Sequence, residues 1–316
     1  SAASDVYKRQ IHYHEFVAEV KAVGNAWEIT SLGRGIRRVT RAKEIIDCSG
    51  DADVARMLGL GVQKGKTRQP GAYQYKIEGI ESEQVWQKEV QQIFDEAVAS
   101  GVLKEGDFAY ARTRPFSYYL AHGGHNATHV YDADTSDADG QTRANLDGRS
   151  RMLRMFQFLR TSVPGCERAV LKTMYNHALS RESYRVVGEY TITRTDFMQA
   201  TNFNDKVCNA FNYIDMHSRE KGCEDIFHES RHLLPTVPFR ALIPKNSSRV
   251  TVAGRIVSAE RMALAGIRAQ CTCMAMGQAM GAAAALAVKK GVPSREIDAG
   301  DIVALTVEHG AVPMSP

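Results

Sequence analysis

Residues 271–288 run eighteen positions without a charge, and nine of them are alanine or glycine between Ala275 and Ala287. A helix this apolar has to be covered on most of its surface. Its alanines, with Gly277 and Gly281 one turn apart, let another backbone or a flat ligand lie close against it. A membrane span needs ~20 strongly apolar residues, and here alanine dominates with Gln278 in the middle. The expectation is therefore a buried, closely packed helix and no membrane. An apolar strand at 249–253 and a turn at Gly254 come just before it, which places the chain in the α/β class.

The 248 residues before that strand must supply what covers the helix. The chain is 316 residues long, about two domains' worth at ~150 each. Forty Lys and Arg against 36 Asp and Glu leave +4, dispersed along the chain; this excludes a nucleic-acid-binding stripe. Six scattered cysteines suit a reducing, cytoplasmic compartment better than a disulfide framework. Residues 1–10 are polar, show no signal peptide and resemble a translated sequencing adapter, so a non-native leader is expected there.

Period-two alternation and Gly-Asn or Gly-Arg-Gly turns predict a three-stranded meander over 11–20, 26–31 and 36–46. A buried strand, a Gly-Asp turn and a short helix starting near Asp51 follow. Further expectations are strands at 72–78 and 184–192, a helix over about 81–100, a loop-rich stretch at 110–140 and a long helix over 141–161. The chain closes with helices at 272–290 and from Asp298 to His309.

Several motifs fail on their chemistry. Gly59 to Thr67 has Leu60 where a phosphate loop requires glycine, and it follows a helix instead of a strand. Asp132 to Arg143 lacks the glycine and the terminal glutamate of a calcium loop. His125 and His129 would share a helical face, but Gly123, Gly124 and Asn126 break helices. His122, His125 and His129 therefore read as a polar loop near a site, and no metal is expected. Cys271 and Cys273 are separated by one residue where redox and zinc pairs usually have two.

Two glycine turns do fit one another. Ile45-Ile46-Asp47-Cys48-Ser49-Gly50-Asp51 runs an apolar strand into a turn and a helix start, and Val252-Ala253-Gly254-Arg255 repeats the strand end. Glycine at such turns lets a ligand approach backbone N–H groups.

The first of these stretches resembles the second signature of FAD-dependent oxidoreductases of the glutathione-reductase-type superfamily. Residues 252–291 resemble the C-terminal flavin signature of the branch related to the flavoprotein subunit of heterodisulfide reductase. Residues 181–190, 213–217 and 238–244 resemble that branch's middle section. The resemblance implies FAD as cofactor, with Gly50, Asp51, Gly254, Arg255, Gly277, Gln278 and Gly281 against it. Some relatives also carry a 4Fe-4S cluster, for which no cysteine cluster exists here.

No Gly-x-Gly-x-x-Gly occurs in the sequence. The segment cradling the FAD pyrophosphate is therefore expected upstream, and the chain reads as an N-terminally truncated, inactive fragment of an active parent. The expected fold is an incomplete FAD-binding Rossmann-like sheet with a small meander and an inserted α+β cap. Residues 11–64 and 245–316 would form the FAD-binding part and 65–244 the cap. The implied reaction moves hydride between a small-molecule substrate and the flavin, with a redox partner to take electrons onward. His217 is the candidate base, and Arg181, Arg185 and Arg240 would hold a carboxylate or phosphate. The competing expectation is a non-catalytic remnant or a ligand-binding module without flavin.

Overall fold

The computed structural model describes residues 10–81, 87–229, 233–312 and 314. The expected leader at 1–10 lies almost wholly outside the described residues. The meander forms as β1 (Phe16–Val23), β2 (Ala26–Gly33) and β3 (Ile36–Ala42), paired antiparallel in that order. The expected strand over 36–46 divides in two, because β4 (Ile45–Asp47) leaves the meander to pair elsewhere. Its partner is the strand Val250–Val252, and the pairing is parallel, Ile45 opposite Val250 and Asp47 opposite Val252. The meander covers this pair from one side: Val20 shares a small apolar cluster with Ile45, Val54 and Val250, with Trp27 and Ile29 packed against it.

Most of the remaining apolar side chains fall into two larger cores. One is built from residues 73–178, around Tyr73, Tyr75, Phe116, Tyr119, Met155 and Phe158. Its main support is α4 (Ala138–Ser162), which follows the helices α1 (Asp53–Met57), α2 (Gln87–Ala99) and α3 (Phe116–His122). The other core gathers Ala52 and Ala55 with apolar residues between Val186 and Ile302. It receives the alanine-rich helix, Gln270–Lys290, through Thr272, Met276, Ala279, Met280, Ala283 and Ala287. These positions recur at three- and four-residue intervals, so they form one stripe. By length and composition this helix could cross a membrane, yet that stripe is buried in the protein's own core.

Local chemistry explains several boundaries. Asp137 sits in the stretch that imitates a calcium loop, and its side chain caps α4 by accepting from Gly140 N at 2.6 Å. The expected loop at 110–140 contains α3, which Pro115 precedes with ψ 159° in the extended region. The expected strand over 72–78 is interrupted, because Gly71–Ala72 pairs with His129–Val130 while Tyr75–Glu78 pairs with Val170–Met174. Of the strand expected over 184–192, only Tyr184–Val186 makes a ladder, with Val62–Lys64. The helix expected over 81–100 is described from Gln87 to Ala99, and 82–86 lie outside the described residues. The result is a mixed α/β fold of several small sheets and helices, Rossmann-like in its parallel pair and covering helix.

Candidate functional site: a cleft at the ends of two parallel strands

Parallel pairing sends β4 and Val250–Val252 out on the same edge, so the glycine turns that follow them meet. Ligands in α/β sheets bind in this position, beyond the carboxyl ends of parallel strands. Asp47 ends its strand 1 % exposed, and its carboxylate accepts from Ser49 N and Ala55 N, both at 3.0 Å. That buried carboxylate fixes the turn, and Gly50 follows with φ +82°. Across from it Gly254 has φ +88° and open space where a Cβ would be. Arg255 folds back over Gly50 and pairs with Asp51 through Nη2 at 3.1 Å. Ser183 joins the same knot by donating to Asp51 Oδ1.

A cleft of about 580 Å³ opens here, within the size range of small-molecule sites. Its floor is Cys48 to Gly50 and Ala253 to Arg255, and its far side is Ala72, Gln74, Asn126 and Leu179 to Arg181. It thus lies where the two cores face each other. A third wall is the start of the alanine-rich helix, through Ala269, Gln270 and Cys273. No side chain caps that end, so its first N–H groups and the positive end of its dipole are free for an anion.

Besides Arg255, two further guanidinium groups line the cleft. Arg181 is 7 % exposed; Nη1 donates to Pro70 O at 2.6 Å, while Nη2 is buried with no partner in the protein. Burial, with the charge of Arg268 adding to it, brings its pKa down to about 10. Arg268 donates through Nη2 to Asp215 O at 2.8 Å and to Asp215 Oδ2 at 3.1 Å, and its Nε is unpartnered. Asp215 partly neutralises both cations, and the unused donors of Arg181 and Arg268 are of the kind that receives an anion.

The other expected site residues fall in different places. His217 is 1 % exposed and is absent from the cleft lining; Nδ1 faces His129 Nε2 at 2.8 Å and Nε2 faces Asp215 Oδ1 at 2.8 Å. Burial lowers the pKa of both histidines, that of His129 to about 2. Arg185 is buried with its Nε unpartnered, opposite Gln63 in a strand ladder. Arg240 is half-exposed, pairs with Asp205 at 3.2 Å and lies over the Tyr190 ring. Gly277 and Gly281 lie in the third and fourth turns of the alanine-rich helix, with nothing within 4 Å of a Cβ position. Gln278 and Cys271 line a second cavity of about 470 Å³ with Val303 and Thr306, away from Cys273. His122 hydrogen-bonds Tyr118 O and stacks on that ring, His125 is exposed, and only His129 is buried. The three histidines of the loop therefore do not converge.

Sequence reasoning missed Asp47, Ser183 and Arg268. Asp47 had a signal: a carboxylate closing an apolar strand before Ser-Gly is the pattern of an Asx-type turn. Ser183 and Arg268 had none, because their partners come from distant segments.

Compared with known proteins, the chain matches the model of one family, FAD dependent oxidoreductase, over residues 3–306. No curated protein and no solved structure matches it. The chain belongs to the FAD-dependent oxidoreductase family. This corrects two expectations drawn from the absence of Gly-x-Gly-x-x-Gly. The match runs through the meander, the Gly50 turn, the middle section and the C-terminal helices, and it begins inside the ten residues assigned to a leader. The truncated-fragment reading and the inactivity inferred from it do not stand. The six cysteines are free, and among the described residues none of them cluster as an iron–sulfur site requires.

Proposed function

We propose that the cleft beyond the two parallel strands holds the FAD of this oxidoreductase and that Arg181 receives the anionic group of a small substrate. The observation that carries this reading is the meeting of four features in one cleft: the Gly50 turn, the Gly254 turn, an uncapped helix start and the unpartnered Nη2 of Arg181. Each suits a flat, negatively charged ligand.

In this reading Gly50 and Gly254 admit the ligand against the backbone, while the Asp51–Arg255 pair holds the two turns at a fixed separation. The N–H groups at Gln270 to Thr272 stabilise negative charge on the cofactor. FAD, when bound, supplies hydride acceptance and donation. Segment 65–244 acts as the cap: Gln74, Asn126 and Arg181 close the far side and exclude water. Arg268, held by Asp215, keeps a second positive charge beside Arg181, so a carboxylate or phosphate is favoured over a neutral substrate. A redox partner would take electrons at the open side of the cleft.

The test is a visible spectrum of the purified chain with and without added FAD, followed by titration with oxalate, malonate and inorganic phosphate. The expected result is stoichiometric flavin whose spectrum these anions perturb in the wild type and not in Arg181→Met. A protein that stays colourless with excess FAD sinks the flavin assignment. An anion response that survives Arg181→Met sinks the role of Arg181.

A further inference from the structure

The hairpin that carries Asp215 also gathers donors, His217, Cys223 and Asp225, to which the flavin reading gives no part. Its strands are Ile214–Ser218 and Gly222–Ile226, with His217 opposite Cys223 and Asp215 opposite Asp225. Because side chains alternate along a strand, these four stand on one face of the ribbon as two cross-strand pairs. Cys223 Sγ lies 3.6 Å from Asp215 Oδ1, 3.7 Å from His217 Nε2 and 3.8 Å from Asp225 Oδ1.

A thiol has one proton, and here it faces two carboxylates and an imidazole nitrogen. His217 Nε2 and Asp215 Oδ1 also pair with each other at 2.8 Å, and a cation at the centre would engage the sulfur, the nitrogen and the oxygens together. Ligands of a tetrahedral ion with bonds of ~2.0–2.3 Å stand about 3.3–3.8 Å apart. The three sulfur distances already match that spacing. Asp215, His217 and Cys223 offer ligand atoms within 4.8 Å of one another. To reach that spacing His217 Nε2 and Asp215 Oδ1, at 2.8 Å, would have to part by about half an ångström, and Asp225 would have to swing inward from the exposed rim to complete the set.

The surroundings support the same conclusion. Metal-binding histidines nearly always have their other ring nitrogen engaged, and metal-binding carboxylates are themselves hydrogen-bonded. His217 Nδ1 faces His129 Nε2, and Arg268 holds the second oxygen of Asp215. The negative charge of two carboxylates and a thiolate would be met by a divalent ion together with the guanidinium groups of Arg268 and Arg181. His217 forms a buried base, while Asp225 is exposed at the rim, which leaves a route in from solvent.

We infer that Asp215, His217, Cys223 and Asp225 bind one divalent cation of the zinc type. The mixed nitrogen, sulfur and oxygen set selects against magnesium and calcium, which take oxygen ligands. The site is distinct from the flavin cleft, and two of the cleft's guanidinium groups, Arg181 and Arg268, act on its ligands; the ion would steady Arg268 by fixing Asp215.

The experiment uses the full chain with its flavin, stripped by a chelator under reducing conditions and titrated with Zn²⁺ and with Co²⁺. Expected are one equivalent bound and, with Co²⁺, intense visible absorption of a tetrahedral thiolate site at wavelengths beyond the flavin bands. Cys223→Ser should lose the thiolate contribution and weaken binding by ~100-fold. Asp225→Asn, at the exposed rim where folding is not at stake, should weaken it by ~10-fold; such losses are the scale seen when a metal's surroundings are altered. Flavin content serves as a separate readout and should stay the same in both variants, so failure of the flavin reading leaves this test intact. Weak octahedral Co²⁺ absorption, or equal uptake by the wild type and both variants, overturns the proposal.

Discussion

Gly50 and Arg255 are in contact: a Cβ on Gly50 would stand 2.8 Å from the guanidinium carbon of Arg255. The contact joins turns at the ends of two strands that are distant in sequence and adjacent in the parallel pair. Gly50 also holds φ +82°, so the position rejects a side chain on two grounds. Gly50→Ala should cost about 1–2 kcal/mol of backbone strain and push Arg255 away from Asp51. Thermal unfolding and FAD titration measured together check this. A destabilised variant with unchanged FAD affinity would take the turn out of the site.

Gly277 and Gly281 offer the opposite case. Open space surrounds their Cβ positions, so Gly277→Ala and Gly281→Ala should each stabilise the flavin-free protein by up to about 1 kcal/mol through helix propensity alone. Loss of FAD content in either stabilised variant would show that the cofactor occupies that space. Full retention would remove both glycines from the binding site.

Gly266 tests the packing of the larger core. A Cβ there would lie 2.2 Å from the tip of the Phe197 ring, and both residues are buried. Overpacking of this kind costs ~1–3 kcal/mol. Gly266→Ala should therefore lower the urea midpoint without changing the slope, and an unchanged midpoint would show that this core yields more easily than its packing indicates.

Asp134 predicts an acid-labile clamp between the two cores. Burial alone would raise its pKa, but hydrogen bonds from Lys64 and Ser136 outweigh that and lower it to about 2. Lys64 Nζ stands 2.5 Å from Asp134 Oδ2 and lies over the Tyr184 ring. A folded-state pKa below the unfolded value adds stability at pH above the unfolded value, near ~3.9 for an aspartate. That stability is lost as pH falls through about 2. Asp134→Asn should accordingly be less stable than wild type at pH 6, with the gap narrowing from about pH 4 downward. Urea unfolding across that range decides it, and a gap independent of pH would mean the pair contributes through packing only.

How much of this could be read beforehand follows the range of the forces involved. The meander, the alanine-rich helix and the Gly50 and Gly254 turns were legible because alternation, helical spacing and turn chemistry act over a few residues. The strand expected over 36–46 shows the limit: its last residues match the meander's pattern locally, but a parallel partner some two hundred residues away claims them. His217 shows the limit at the site. Its residue type suits a base, yet tertiary packing encloses it between His129 and Asp215, away from the cleft.

The sequence by itself determined the α/β class, the FAD-dependent oxidoreductase family, whose model it matches over residues 3–306, and the strand–turn–helix units around its glycine turns. Only the tertiary structure decided that both turns open into one cleft, that Arg181 and Arg268 face it together, and that Asp215, His217, Cys223 and Asp225 share one face of a hairpin. Strand register and the meeting of distant buried charges are set by pairing and burial across the whole chain. No local spacing of residues encodes them.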